Sequence, residues 1–204
     1  LAPPMRAYFA KRVVLVGAES TGTTTLTQAL AAYYRTLWVP EYGREYSSKK
    51  LERGETSWNS NEFIHIAREQ SRREDESARS ANRLLVADTD AFATSLWHER
   101  YMGTMDAYLG EIARRRIPDL YILTGDEIPF VQDGLRDGEH IRNAMHTRFE
   151  QELRHASLPF LLVRGSKAVR LHKAVQVIDR LQKLPKGHRP SQSDIDAWVM
   201  KPSQ

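Results

Sequence analysis

The stretch VVLVGAESTGTTTL, Val13 to Leu26, decides how the chain is read. Four apolar residues run into Gly17, a second glycine follows at Gly22, and Thr23, Thr24 and Thr25 lead into a leucine. An apolar run ending at a glycine predicts a buried strand, and the threonines predict the first turn of a helix. Glycine, four residues, glycine, lysine and a hydroxyl residue is the spacing of a mononucleotide-binding loop, whose backbone amides and helix N-terminus face phosphate oxygens. The stretch keeps that spacing, but Thr23 stands at the lysine position.

Gly17 and Gly22 permit the tight turns that aim amides at phosphate, and those amides do not depend on a lysine. Ser20, Thr21, Gly22, Thr23, Thr24 and Thr25 are therefore expected to contact ATP phosphates, with the Thr24 hydroxyl completing a magnesium shell. Thr23 brings no mobile positive charge. Arg136 or Arg142, from the polar segment after the fourth strand, are the expected substitutes; the alternative is that amides and magnesium suffice at reduced rate. Glu19, inside the loop, either bonds the loop itself or meets the acceptor or hydrated magnesium.

Outward from this loop, strands are predicted at Arg12–Val16, Trp38–Pro40, within RLLVAD, at Leu120–Leu123 and at Phe160–Val163. They alternate with helical stretches. Thr24–Tyr34 carries Leu26, Leu30 and Tyr33 on one face, and 59–82 carries Phe63, Ile66, Ala67 and Gln70 inward, with Ser60 or Asn61 as its cap. Ala93–Arg116 is interrupted near Gly103, and Ile141–Arg154 and Lys167–Leu184 follow. The alternation predicts an α/β fold, a parallel sheet flanked by helices on both faces. Such folds bind ligands beyond the C-terminal ends of the strands, where Gly17, Glu41, Asp88 and Gly125 all fall.

The 204 residues suit one domain. Residues 1–11 are expected to be a linker or extension, 12–184 the domain, and 185–204 a tail without a long periodic element, packing on the domain or a partner. Hydrophobic residues make up 41% and charged residues 27%, which excludes a disordered chain. No apolar run approaches the roughly 20 residues of a membrane span, and no signal peptide pattern is present, so a cytoplasmic location and no membrane partner are expected. With no cysteine and seven scattered histidines, any metal is expected to be magnesium on oxygen ligands. The net charge of +4 favours an anionic ligand. SRREDESARSANR mixes signs as a solvated helix face does, so no nucleic acid is expected.

Phosphoryl transfer to an alcohol needs the hydroxyl aimed in line and its proton accepted. Glu41, after the second strand, suits that task or a sugar hydroxyl. Arg44 either bridges acceptor and phosphate or pairs with Glu41 or Glu45, while Tyr42 and Tyr46 offer ring or sugar contacts and Gly43 a turn. Asp88, ending the third strand, suits magnesium; Asp90 suits the acceptor ribose or a base. Phe130 is a platform for a flat ring, Asp133 a hydrogen-bond acceptor, and Arg136 sits between Gly134 and Gly138 in a segment able to close over phosphate. Arg164 and Gly165, after the fifth strand, are expected beside adenine.

Gly17 to Thr24, EYGREY at Glu41 to Tyr46, ADTDAF at Ala87 to Phe92 and DGLRDG at Asp133 to Gly138 occur in one order. Together they resemble the ribosylnicotinamide kinase domain of NadR-type NAD biosynthesis proteins, over about Arg12 to Leu184. The resemblance implies a P-loop, thymidylate-kinase-like fold and transfer of the ATP γ-phosphate to the 5'-hydroxyl of nicotinamide riboside, giving nicotinamide mononucleotide. It matches the magnesium-associated aspartate to Asp88 and the lid arginine to Arg136, with Glu41 near the acceptor hydroxyl and Asp90 and Asp133 near its ribose. It also implies an attached N-terminal nicotinamide mononucleotide adenylyltransferase domain. Two positions depart from the pattern: the family commonly has lysine at Thr23, and its pyridine-facing aromatic can be tryptophan where Phe130 stands. A catalytically weak nucleotide or NAD sensor and a kinase for another nucleoside stay open, as does a homo-oligomer.

Overall fold

The structure is a computed structural model that describes residues 2–132 and 138–200. Five strands, β1 (Lys11–Val16), β2 (Trp38–Val39), β3 (Leu84–Asp88), β4 (Leu120–Thr124) and β5 (Phe160–Val163), form one parallel sheet in the order β2-β3-β1-β4-β5. Parallel pairing requires crossovers, and these are supplied by α2 (Thr23–Tyr34), α3 (Tyr42–Glu52), α4 (Ser60–Ala78), α5 (Ala91–Met102), α6 (Ala107–Arg115) and α7 (Arg142–His155). The chain opens with α1 (Pro3–Phe9) and ends with α8 (Lys167–Leu181) and α9 (Gln192–Met200).

Alternation along each strand divides the core in two. Val14, Val16, Leu85, Ala87, Tyr121 and Leu123 face α5 and α7, packing on Phe92, Leu96, Met145 and Phe149. Val13, Leu15, Val86 and Ile122 face α2, α8 and α9, against Leu30, Val177, Ile178 and Ile195. A third cluster joins α4, α5 and α6 through Phe63, Ala67, Ala91 and Leu109.

Several sequence expectations change. In α2, Leu26 and Leu30 are buried but Tyr33 is exposed; the inward stripe continues at i+4 with Tyr34, whose hydroxyl donates to Asp179 at 2.8 Å. The cap of α4 is Asn59, one residue before the expected pair, and it forms a reciprocal box with Glu62. EYGREY is not a turn: Tyr42 to Glu52 is helical, with Gly43 inside it. Within the presumed N-terminal linker, Pro3–Phe9 forms α1, and the tail contains α9, with Ile195 buried. The Gln192 side chain accepts from Phe160 N at 3.1 Å and donates to Phe160 O at 3.0 Å, joining the tail to the edge of the sheet.

Asp90 belongs to this framework. One carboxylate oxygen accepts from Ala93 N at 3.0 Å, capping α5, and the other accepts from the Tyr121 hydroxyl at 2.7 Å. Asp90→Ala is expected to lower stability by about 2–4 kcal/mol, from a lost cap and an orphaned buried hydroxyl, measured by denaturant unfolding. Glu74, buried beneath Arg12 and Arg116, is pushed up to about 7, chiefly by burial. Its folded-state proton affinity exceeds that of the unfolded chain, so its contribution to stability is present at acid pH and falls as pH rises from about 5 to 7. Glu74→Gln should flatten that slope in thermal unfolding followed against pH.

Candidate active site

The parallel register aligns the ends of the three central strands. Leu15 pairs with Asp88 and Val16 with Leu123, so Gly17 lies level with Thr124 while Asp88 ends its strand two residues short of Gly17. The turn at Gly17 is tight: a Cβ there would lie 2.3 Å from Thr124 Oγ1 and 2.7 Å from Thr21 Oγ1, so no larger residue fits. Gly22, at φ +83°, adopts the left-handed geometry that starts α2 at Thr23.

Thr24 Oγ1 donates to Asp88 Oδ2 at 2.5 Å, and the Thr23 hydroxyl is a second partner of the same carboxylate. Burial raises the proton affinity of Asp88, while the two threonines and the charge of Arg44 lower it. A buried carboxylate beside a helix-start hydroxyl is a pair of hard oxygen donors and fits magnesium, whose shell phosphate and water oxygens would complete. Among the described residues there is no group of three or more His, Cys, Asp or Glu side chains that could hold a metal without them.

Glu41 precedes α3 and lines a cleft of about 220 Å³ together with Gly17, Ser20, Gly22, Thr23, Thr24, Thr25, Arg44 and Asp88. Arg44 is the one Lys or Arg among the described residues lining it. Gln70, fully buried on α4, sets the distance between the two acidic ends. Its side chain accepts from Tyr42 N at 2.9 Å and donates to Thr89 O at 3.4 Å, tying the start of α3 to the end of β3. Thr89 itself stands at φ +78°, an uncommon conformation for a β-branched residue.

The far wall of the cleft is aromatic: Trp58, Phe63, Trp97, Tyr101 and Phe149 line it. Trp58, Phe63 and Tyr101 have ring centroids 5.1–5.8 Å apart. The sequence reading missed this wall as a site. Its one local signal is Trp97 and Tyr101, four residues apart on the same helix face; Trp58 and Phe149 reach it only through the fold.

Other expected contacts lie elsewhere. Asp90 is taken up within the fold, as described, and does not line the cleft. Tyr42 and Tyr46 turn toward α4 instead: the Tyr42 hydroxyl lies 3.0 Å from His65 Nε2, and Tyr46 donates to Glu62 at 3.1 Å. The Thr21 side chain points inward and donates to Ala18 O at 2.6 Å, leaving its backbone for any phosphate. Arg142 is no mobile cation, being buried with its guanidinium donating to Ser20 O at 3.2 Å and Ile128 O at 2.5 Å. Phe130 has its ring 6.0 Å from that guanidinium and does not line the cleft. Asp133 and Arg136 fall outside the described residues.

Arg164 and Gly165 follow the end of β5 and do not line the cleft. Arg164 is 3.7 Å from both Asp126 and Glu127. Between this corner and the loop stands Arg170, a buried residue the sequence reading did not single out. It donates to Thr21 O at 2.6 Å, Gly125 O at 3.1 Å and Gly165 O at 2.9 Å, and pairs with Glu127 at 2.7 Å. Three strand-end loops are thereby joined through one guanidinium, whose donors are consumed by protein.

The AAA domain family matches residues 12–170. The trifunctional NAD biosynthesis/regulator protein NadR of Salmonella typhimurium is 28% identical over 162 residues, 78% of this chain and 40% of the relative. The Escherichia coli protein of the same name is 30% identical over 132 residues, 65% of this chain and 32% of the relative. The chain thus spans two fifths or less of either curated relative's length. Among solved structures, a NadR protein in complex with NAD and AMP-PNP superposes with a TM-score of 0.73 at 19% identity, covering 91% of this chain and 53% of that one. A NadR protein in complex with NR gives 0.72 at 20%, covering 91% and 55%. Thymidylate kinase from Ehrlichia chaffeensis gives 0.60 at 13%, covering 83% and 98%. The fold is that of a P-loop, thymidylate-kinase-like domain, and the chain belongs to the AAA domain family, with NadR proteins among its relatives.

Proposed function

We propose that the chain transfers the γ-phosphate of ATP to the 5'-hydroxyl of nicotinamide riboside, giving nicotinamide mononucleotide and ADP. The observation that carries this reading is one cleft in which Glu41, Arg44 and Asp88 meet the phosphate loop opposite an aromatic wall. Nicotinamide riboside presents a flat cationic ring and a sugar hydroxyl. The rings of Trp58, Trp97 and Tyr101 suit the former by cation–π attraction, and the Glu41 carboxylate suits the latter as proton acceptor.

In this reading the amides from Gly17 to Thr25 hold the ATP phosphates, Thr24 and Asp88 hold magnesium, and Arg44 is the cation facing developing charge in place of the absent lysine. Magnesium, when bound, neutralises charge on the β- and γ-phosphate oxygens. Arg136 and Asp133 keep their proposed places as lid and ribose contact. Residues 12–184 are the proposed kinase unit; a cytoplasmic setting and an attached adenylyltransferase remain part of the proposal. Among the described residues, no helix is long and apolar enough to cross a membrane.

Two features support narrower alternatives. Phe130 does not line the cleft, which favours ring recognition by other residues or a different nucleoside. Thr23 favours a domain that binds nucleotides and transfers slowly. A riboside panel with ATP and magnesium, followed by chromatography, separates these: time-dependent nicotinamide mononucleotide is expected, and saturable binding without any phosphorylated product would establish the sensor instead.

Glu41→Gln and Arg44→Ala are each expected to lower kcat by about 100-fold or more while the folded chain still binds ATP. Thr23→Lys should raise kcat by about tenfold or more if transition-state charge is the limiting deficit. Tyr101→Leu, which keeps apolar volume but removes a ring, is expected to raise KM for the riboside about three- to tenfold with kcat little changed.

A further inference from the structure

At the end of the sheet opposite the phosphate loop, where β1 and β3 begin, a cavity of about 450 Å³ opens between α1, residues 81–83 and the chain that follows α8. Four of its ten lining residues are cations, Arg6, Lys11, Arg83 and Lys186, and none is acidic. Lys11 has internal partners: its ammonium lies 3.4 Å from Asp119 and donates to the carbonyls of Pro185 and His188 at 3.1 and 3.2 Å. Arg83 and Lys186 have no ion-pair partner among the described residues. Lys186 is lowered in proton affinity, first by desolvation and then by Lys11, Arg12 and Arg189, against the opposing pull of Asp119. Arg83 and Lys186, with no carboxylate paired to either among the described residues, leave positive potential in the recess that an entering anion would neutralise.

We propose that this cavity binds a small phosphate-bearing metabolite, its phosphate between Arg83 and Lys186 and its organic part against Phe9 and Leu184. The volume lies within the roughly 300–1,000 Å³ of small-molecule sites. The cations line a recess rather than a stripe, which suits a compact anion better than a polymer. Because α1 buries no side chain of its own, a bound anion would also fasten α1 to the sheet. The site is independent of the reaction proposed above.

The test is an amide NMR titration with inorganic pyrophosphate and, separately, with ADP at fixed ionic strength. Saturable shifts are expected at Ala10, Lys11, Arg83 and Lys186, with a midpoint distinct from that of Gly17 to Thr24. In the double variant R83N/K186Q the first set should weaken by about tenfold or more while the phosphate-loop midpoint holds. Asparagine is chosen because Arg83 stands at φ +63°, a conformation asparagine tolerates, so the variant spectrum should stay dispersed. Tighter binding of ADP would show that the organic part is held; equal affinity would make phosphate itself the recognised group. Shifts confined to the phosphate loop, failure to saturate, an unaltered response in the variant, or saturation by a single-stranded oligonucleotide alone would each overturn the proposal.

Discussion

Asp88 is a carboxylate drawn out of water at the end of a parallel strand and held by the hydroxyls that begin the next-door helix. That placement is possible because β3 pairs with β1 in a register that sets Asp88 beside Leu15, two residues short of the loop glycine. The energetic consequence is a group whose charge is poorly solvated by protein alone. The Thr23 and Thr24 hydroxyls and the charge of Arg44 all refer back to this one acid.

The strand ends were legible because buried parallel strands appear as apolar runs followed by an abrupt polar residue, as in LLVAD. The helix α3 was not. Its sequence has no apolar stripe, and it is held by partners on α4, with Gln70 at its start and Glu62 receiving both Tyr46 and the buried Lys50. ADTDAF suggests a magnesium role for Asp88 and a ribose or base role for Asp90, yet Thr89 between them takes a left-handed turn that ends the strand and makes Asp90 a helix cap. Phe130 was expected as a platform for a flat ring, but the chain beside it is tied to the phosphate loop, where Val131 N donates to the Ser20 hydroxyl oxygen at 2.8 Å, and Phe130 does not line the cleft. Loop paths of this kind depend on contacts that periodicity does not encode.

The absent lysine is met by a division of labour among arginines. Arg142 and Arg170 are buried and directed at backbone carbonyls, so they shape the phosphate loop without offering charge to a ligand. Arg44 alone faces the cleft among the described lining residues. A loop braced by fixed guanidinium groups is held by contacts that do not involve position 23.

The junction of Gln192 with Phe160 reaches beyond the tail itself. β5 is an outer strand, and a free outer strand is a template on which a second chain can grow a continuous sheet. The glutamine amide mimics the next strand's peptide group and occupies that template, while the opposite border, β2, is only two residues long. At Phe160 the outer border is thus occupied by the chain's own tail, and at β2 the border offers an incoming strand only two residues.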